Sequence, residues 1–278
     1  MSTPKYNEII YETCGRVVTI TMNRPDVYNA FGPVMINELI DALMRAGWDD
    51  EVAVIVLTGA GDKAFCTGGD QSQHAGLYKG NGAVGMPVHG LHSIIRDVPK
   101  PVIARVRGYS IGGGNVVAAL CDLTIASDNA IFGQVGPKVG SVDPGFGTAY
   151  MTRVVGEKKA RELWYMCRRY TAQEALAMGL VNVVVPDAEL DAEVERWCAE
   201  LVERSPTAIA IAKRAFNCDT ENISGSSALG MEAVRLYYLT EESREGVAAF
   251  REKRKPDFWR HRAGAAGPSS HPAGEPDR

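Results

Sequence analysis

Two stretches of this 278-residue chain place glycine at the end of an apolar run: "AFCTGGDQ" (64–71) and "GYSIGGGNVVAALCD" (108–122). Glycine lets backbone N–H groups approach a ligand with no side chain between. In the second stretch Gly112, Gly113 and Gly114 directly precede an apolar helical segment, whose N-terminus adds unsatisfied donors and partial positive charge. One N–H from each turn, aimed at one point, makes an oxyanion hole. The plainer alternative is a pair of tight turns where helix packs on strand. A phosphate loop fits less well, because the chain has no G-K-[ST] and no G-x-G-x-x-G after a first strand.

A third stretch, "GQVGPKVGSVDPGFG" (133–147), holds five glycines, two prolines and one carboxylate, Asp143. It is too glycine-rich for a helix and too interrupted for a central strand. Asp143 therefore reads either as an Asx-turn or as the one acid–base group of a bare loop. Tyr78 and His74 lie in "QSQHAGLYKGNGAVG" (71–85), a polar glycine-rich segment that reads as an active-site loop, with His74 read as an exposed histidine. His89 and His92 stand three apart on a helical segment and lack the third ligand a metal needs. "REKRK" (251–255) is most simply a solvated helix end.

The elements that must hold these residues alternate. "GRVVTITMNRP" is a β-branched strand ending at Pro25, and "NAFGPVMINELIDALMRAGWDD" carries apolar residues at helical spacing. "VAVIVLTGAG" is an apolar strand of the kind buried on both faces; "KPVIARVRG" and "CDLTIASDNAIFG" repeat it after a helical segment at 88–97. Strand, helix, strand with glycine at each switch predicts right-handed β–α crossovers. From 156 onward helices dominate, among them "TAQEALAMG" with a capping box at Thr171 and Glu174 and a stop at Gly179. The reading is an α/β core over 1–205, a helical region over 206–262 and a disordered tail over 263–278, which is small, polar and proline-rich.

A net charge of −4 argues against nucleic acid or an anionic membrane as the main partner. No apolar run approaches the ~20 residues that span a bilayer. Six scattered cysteines without a C-x-x-C pair suit reduced, mostly buried thiols, and no apolar h-region opens the chain, so a cytoplasmic protein is expected.

Taken together, "NRPDVYNAF" (23–31), "AFCTGGDQ", "GYSIGGG" and "GQVGPKVGSVDPGFG" resemble, in order and spacing, the crotonase (enoyl-CoA hydratase/isomerase) superfamily, over about 8–258. The resemblance implies an α/β fold, a crotonase-type ββα spiral core with a C-terminal helical trimerisation region, assembled as a homotrimer or homohexamer. It implies an acyl-CoA substrate, with CoA part of the substrate and no separate cofactor. Gly69 and Gly113 become the donors that hold the thioester oxygen as it turns into an enolate. Tyr28 and Ala30, Thr67, Gly68, Asp70 and Gln71, then Tyr109, Ser110, Ile111 and Gly112, and Gln134 and Val135 line the acyl-CoA, and Lys253 meets CoA phosphate. Tyr28 stands where the family's ring-closing synthases often carry an arginine for the CoA nucleotide.

A family hydratase sets two glutamates beside the thioester. Here those places look like Val116 and Gly136, and neither can move a proton. What remains is Ser141 and Asp143, with Ser141 expected to orient Asp143. This S-x-D, with "YYLTEESREGVAAFREKRKPDF" (237–258), resembles a narrower branch of ring-opening 2-ketocyclohexanecarboxyl-CoA hydrolases and ring-closing 1,4-dihydroxy-2-naphthoyl-CoA synthases. It carries over Tyr238 as a residue reaching a neighbouring subunit's site; Tyr78 or Tyr238 would protonate a carbanion. A synthase often holds bicarbonate with a Gln-Thr pair. Val135 follows Gln134 here, so a bound anion would lose a hydrogen bond typically worth ~1.5–3 kcal/mol. Trp164, which resembles a support for that pocket, is present. The hydrolase is the reading taken forward and the synthase its alternative. A crotonase-fold binding protein, including one for RNA, would need a basic face, and no long basic stripe occurs.

Overall fold

The computed structural model describes residues 5–70, 72 and 87–261. Strands β1 (Ile9–Cys14) and β2 (Val17–Met22) form an antiparallel hairpin. Helix α1 (Pro33–Trp48) follows, entered through Pro33, whose missing N–H is one the first turn leaves unbonded anyway. The chain then repeats one unit. Strand β3 (Val54–Gly59) leads to short β4 (Ala64–Cys66) and on to helix α2 (Val88–Asp97). Strand β5 (Val102–Val106) leads to β6 (Tyr109–Ile111) and helix α3 (Gly113–Leu120), and β7 (Leu123–Ser127) leads to β8 (Ile131–Gly133).

Each unit gives one strand to each of two sheets. With β9 (Arg169–Thr171) and β10 (Val183–Val185), the larger sheet runs β1-β2-β3-β5-β7-β10 and the smaller runs β4-β6-β8-β9. Pairing from β2 to β10 in the larger sheet is parallel, and so is β4-β6-β8 in the smaller. This is the expected ββα spiral. The segment 121–133, read as one strand, is two: β7 and β8 lie in different sheets, joined through Asp128, Asn129 and Ala130.

All six residues of β3 are buried because both faces of the sheet are covered. Ile55 and Leu57 meet α1 residues such as Leu39 and Leu43, whereas Val54 and Val56 meet Leu190, Val194 and Cys198 of helix α8 (Leu190–Val202). The predicted capping box is formed at helix α7 (Ala172–Ala177): Thr171 Oγ1 accepts from the Glu174 N–H at 3.3 Å, and the Glu174 carboxylate accepts from the Thr171 N–H at 2.8 Å.

Three further helices, α9 (Pro206–Cys218), α10 (Glu221–Tyr237) and α11 (Glu241–Arg251), fold back onto the chain's own core. A buried lysine fastens the first: Lys213 Nζ donates to the carbonyls of Ile95 and Lys100 and to Asp122 Oδ2 at 2.7 Å.

The stretch 133–147 departs from expectation. It contains a one-turn helix, α4 (Gly136–Val139), begun by Pro137 and closed by Gly140 in the left-handed conformation, φ 72°. A five-residue π-helical turn, Phe146–Tyr150, follows and runs into helix α5 (Met151–Val155). Glycine here caps a helix rather than preventing one.

Candidate active site

The smaller sheet explains why the glycine turns meet. Strands β4, β6 and β8 are neighbours and parallel, so their carboxyl ends share one edge. Beyond that edge lie Thr67–Asp70, Gly112–Gly113 and Gln134–Val135, in the place where open parallel sheets bind ligands. A Cβ on Gly68 would stand 2.7 Å from Gly113 N, so the two turns touch through backbone alone. A Cβ on Gly113 would stand 2.6 Å from Phe31 Cζ. Gly112 donates its N–H to the Gly133 carbonyl at 2.9 Å, tying the third turn to the second.

The direction of the two candidate donors follows from peptide geometry. The Gly68 carbonyl accepts from the Phe31 N–H at 2.9 Å, so the N–H of Gly69, anti to it in the same trans peptide, points away from Phe31. The Gly112 carbonyl accepts the first helical bond of α3, from Val116 N–H at 3.1 Å, so the N–H of Gly113 points out of the helix end. Neither donor has a hydrogen-bond partner among the described residues. The Cys66 thiol beneath them is inert, pushed up to about 12 by burial, and accepts from Gly68 N–H at 3.3 Å.

The segment 23–31 is held beside these turns by a residue that sequence reasoning passed over. Asn29 is fully buried with φ 54°; its Oδ1 accepts from Arg24 N–H and its Nδ2 donates to the carbonyls of Ala60 and Ala64 at 3.0 and 2.7 Å. The preceding Tyr28 is exposed, with its ring edge-on to Tyr109 at 6.2 Å, and Arg169 lies 5.3 Å over Tyr109. Thr67 Oγ1 donates to the Tyr28 carbonyl at 3.3 Å, and the Ala30 carbonyl accepts from Arg24. Asp70 pairs with Arg24 at 2.9 Å and accepts from Ser72; burial opposes its charge, but those donors hold its carboxyl below the ordinary value. It braces the turn. Ser110 is buried with its hydroxyl unpartnered among the described residues, and Ile111 is buried beside it. Lys253 sits on an exposed turn after α11, with φ 54°. Tyr78, His74, Gln71 and the tail 263–278 lie outside the described residues.

Gly136 and Val116 carry no acid–base group, and the packing leaves little room for one. A Cβ at 136 would stand 2.6 Å from the Ser141 carbonyl oxygen and 2.8 Å from Trp164 Cζ3. Trp164, on helix α6 (Glu157–Met166), donates its indole N–H to the Gly147 carbonyl and closes the back of this loop. Val116 is fully buried in the core. Gln134 is buried as well, and both polar atoms of its amide are unpartnered among the described residues.

Ser141 and Asp143 are not paired as expected. Ser141 Oγ lies 2.6 Å from Tyr238 Oη of the same chain, just past the end of α10, so Tyr238 is engaged within its own subunit. The reason is the close approach of the C-terminal helices. Ser243 Oγ donates to the Gly140 carbonyl at 2.7 Å, and a Cβ on Gly145 would stand 2.5 Å from Ser227. Asp143 turns the other way. Its Oδ1 accepts from Gly147 N–H at 3.1 Å, and its Oδ2 lies 4.0 Å from His92 Nε2. Burial pushes the Asp143 carboxyl up to about 7, with the Gly147 N–H pulling weakly against it. Burial, with His89 nearby, pushes His92 down to about 3, so His92 is neutral at physiological pH and the contact is no ion pair. In sequence His92 was read only with His89, as a pair too few to hold a metal, because helical spacing does not show what a side chain meets.

Among the described residues, no group of three or more His, Cys, Asp or Glu side chains could hold a metal, and no helix is long and apolar enough to cross a membrane.

Residues 12–261 match the family described as enoyl-CoA hydratase/isomerase. The chain is similar to solved structures of enoyl-CoA hydratases from Mycobacterium avium subsp. paratuberculosis and Bacillus anthracis. The first is 30% identical with TM-score 0.82, covering 91% of this chain and 99% of that one. The second is 32% identical with TM-score 0.71, covering 90% and 98%. An enoyl-CoA hydratase/isomerase from Pseudoalteromonas atlantica is 27% identical with TM-score 0.83, covering 91% and 100%.

Proposed function

The chain belongs to the enoyl-CoA hydratase/isomerase family and is an acyl-CoA enzyme, and from that premise we propose that it opens the ring of a cyclic β-keto acyl-CoA such as 2-ketocyclohexanecarboxyl-CoA. The observation that carries this reading is the site's carboxyl inventory. Position 136 is packed against Trp164 and the Ser141 carbonyl, Val116 belongs to the core, and Asp143 is a buried carboxyl poised near neutrality. A two-glutamate hydration lacks its groups; a single acid–base carboxyl with an enolate-stabilising cradle suits a retro-Claisen cleavage.

In this mechanism water, positioned by the Gln134 amide, which has no hydrogen-bond partner among the described residues, adds to the ring ketone and gives the hydrate. Asp143 takes a proton from one hydrate hydroxyl as the carboxylic acid forms. The bond between the former ketone carbon and the α-carbon of the thioester breaks, and its electron pair passes to the thioester oxygen held by the N–H groups of Gly69 and Gly113. Tyr238, hydrogen-bonded to Ser141, gives a proton to the α-carbon and is reprotonated from solvent, while Asp143 releases the proton it took to solvent. One water is added overall, and the product is a linear dicarboxylic mono-CoA thioester. Tyr28, Tyr109 and Lys253 lie along the CoA in this reading. The exposed apolar side chains Ile211, Phe216, Leu229, Leu236 and Leu239 of the C-terminal region support assembly into a trimer or hexamer.

The Gln134 amide, unpartnered among the described residues, also favours one alternative, a ring-closing naphthoyl-CoA synthase with bicarbonate bound there, although Val135 supplies no hydroxyl. Mass detection after incubation with each substrate separates them. Gain of one water on the cyclic β-keto thioester is expected. Loss of water from o-succinylbenzoyl-CoA, with the cyclic substrate untouched, would move the assignment to the synthase.

A further inference from the structure

The buried pair behind the loop has a role that the cleavage scheme leaves open. His92 is fully buried on α2, and both its ring nitrogens lack a hydrogen-bond partner among the described residues. A buried imidazole with two idle polar atoms is costly unless something meets it at another stage of the cycle. The group within reach is Asp143, whose Oδ2 stands 4.0 Å from Nε2; about 1 Å of side-chain movement turns that contact into a hydrogen bond. The ring itself is held. Phe146 packs edge-on at 5.7 Å, and His89 stacks on the same Phe146 ring at 6.2 Å. Asp143 is held less tightly, by one backbone N–H on a glycine-rich loop.

We propose that His92 is the positioning residue for Asp143: its neutral ring donates an N–H to the Asp143 carboxylate, aims the other oxygen at the reacting ketone, and releases the carboxyl when it is protonated. This rests on the role given to Asp143 above. Other polar groups around the pair do not take this part. Arg96, further along α2, donates to Thr220 and lies over the rings of Phe146 and Tyr150. His89 lies near Ser227 of α10 and Ser93 of α2. α3 carries no titratable side chain, and on α10 Glu221 is exposed while Glu232 pairs with Arg235 at 3.8 Å. A donor bond to the ionised form lowers a carboxyl's midpoint, so loss of His92 must raise it.

The test follows the carboxyl directly and needs no turnover. With 13C-labelled aspartate and Asp143→Asn to assign the signal, the Asp143 carboxyl is titrated by NMR in the full chain. His92→Phe is expected to raise the midpoint by about one pH unit, and His92→Gln, which restores an N–H donor, to return it toward wild type. An unchanged midpoint in His92→Phe, or the same shift in both variants, would overturn the proposal. Should His92→Phe not fold, the wild-type imidazole 15N shifts are compared with those of Asp143→Asn. A change at one ring nitrogen is expected, and identical spectra would overturn the proposal. Failure of ring-opening activity leaves these readouts intact, so the two ideas fail separately.

Discussion

The glycines of the two turns at 67–70 and 112–114 and those of the loop 133–147 do opposite work. In the turns, missing side chains bring two backbones together and leave the N–H groups of Gly69 and Gly113 facing outward without partners among the described residues. In the loop, missing side chains let the protein pack on itself: Gly136 under Trp164, Gly140 against Ser243, Gly145 against Ser227. One set opens space for a ligand and the other closes space around a carboxyl. Glycine content alone therefore does not mark a binding site; what the missing Cβ would have met decides it.

Substitutions in the two sets should fail differently. Gly68→Ala places a Cβ 2.7 Å from Gly113 N, at a φ of +82° that suits glycine. It disturbs one oxyanion donor, and a fall in kcat of ~10²–10³-fold is expected, measured with any substrate that forms the thioester enolate. A stable variant with wild-type kcat would break the contrast. Gly145→Ala places its Cβ 2.5 Å from Ser227, and overpacking there should destabilise by about 1–3 kcal/mol in denaturant unfolding, with the smaller kinetic loss of the two variants. Equal kinetic losses would mean that the loop glycines also shape the ligand pocket.

A subtler effect separates the two buried titratable groups. Asp143 is held at about 7, above its unfolded value, so its stabilising share is present below about pH 4 and is lost as pH rises toward 7. His92 is held at about 3, below its unfolded value, so its share is present above about pH 6.5 and is lost as pH falls toward 3. Between pH 4 and 6.5 the two slopes oppose each other and the wild type should vary little on their account. Asp143→Asn leaves the His92 slope, and stability should rise with pH by roughly 1 kcal/mol per pH unit. His92→Gln leaves the Asp143 slope, and stability should fall with pH by a similar amount. Urea midpoints across that pH range, compared with wild type, check both signs.

Much of this was legible in sequence because it depends on local pattern. β-Branched strands, the Thr171–Glu174 cap and the glycine ends of β4 and β6 announce themselves by type and spacing. The spiral is harder to see, since β7 and β8 read as one run and part company only at Asn129. The partners of Ser141 and Asp143 were not legible. Ser141 meets Tyr238 across 97 positions of sequence and Asp143, on the loop, faces His92 on α2, and such meetings are set by how α2, α10 and α11 pack. Asn29 escaped notice for the same reason: its buried amide bonds join 23–31 to strand ends far along the chain.

The account turns on Asp143 as the group that moves the proton in ring opening. Single-turnover cleavage of 2-ketocyclohexanecarboxyl-CoA by Asp143→Asn, with substrate binding measured in parallel, tests that most directly. Retained binding with cleavage slowed ~10²–10⁴-fold is the predicted result. Cleavage at the wild-type rate would contradict it.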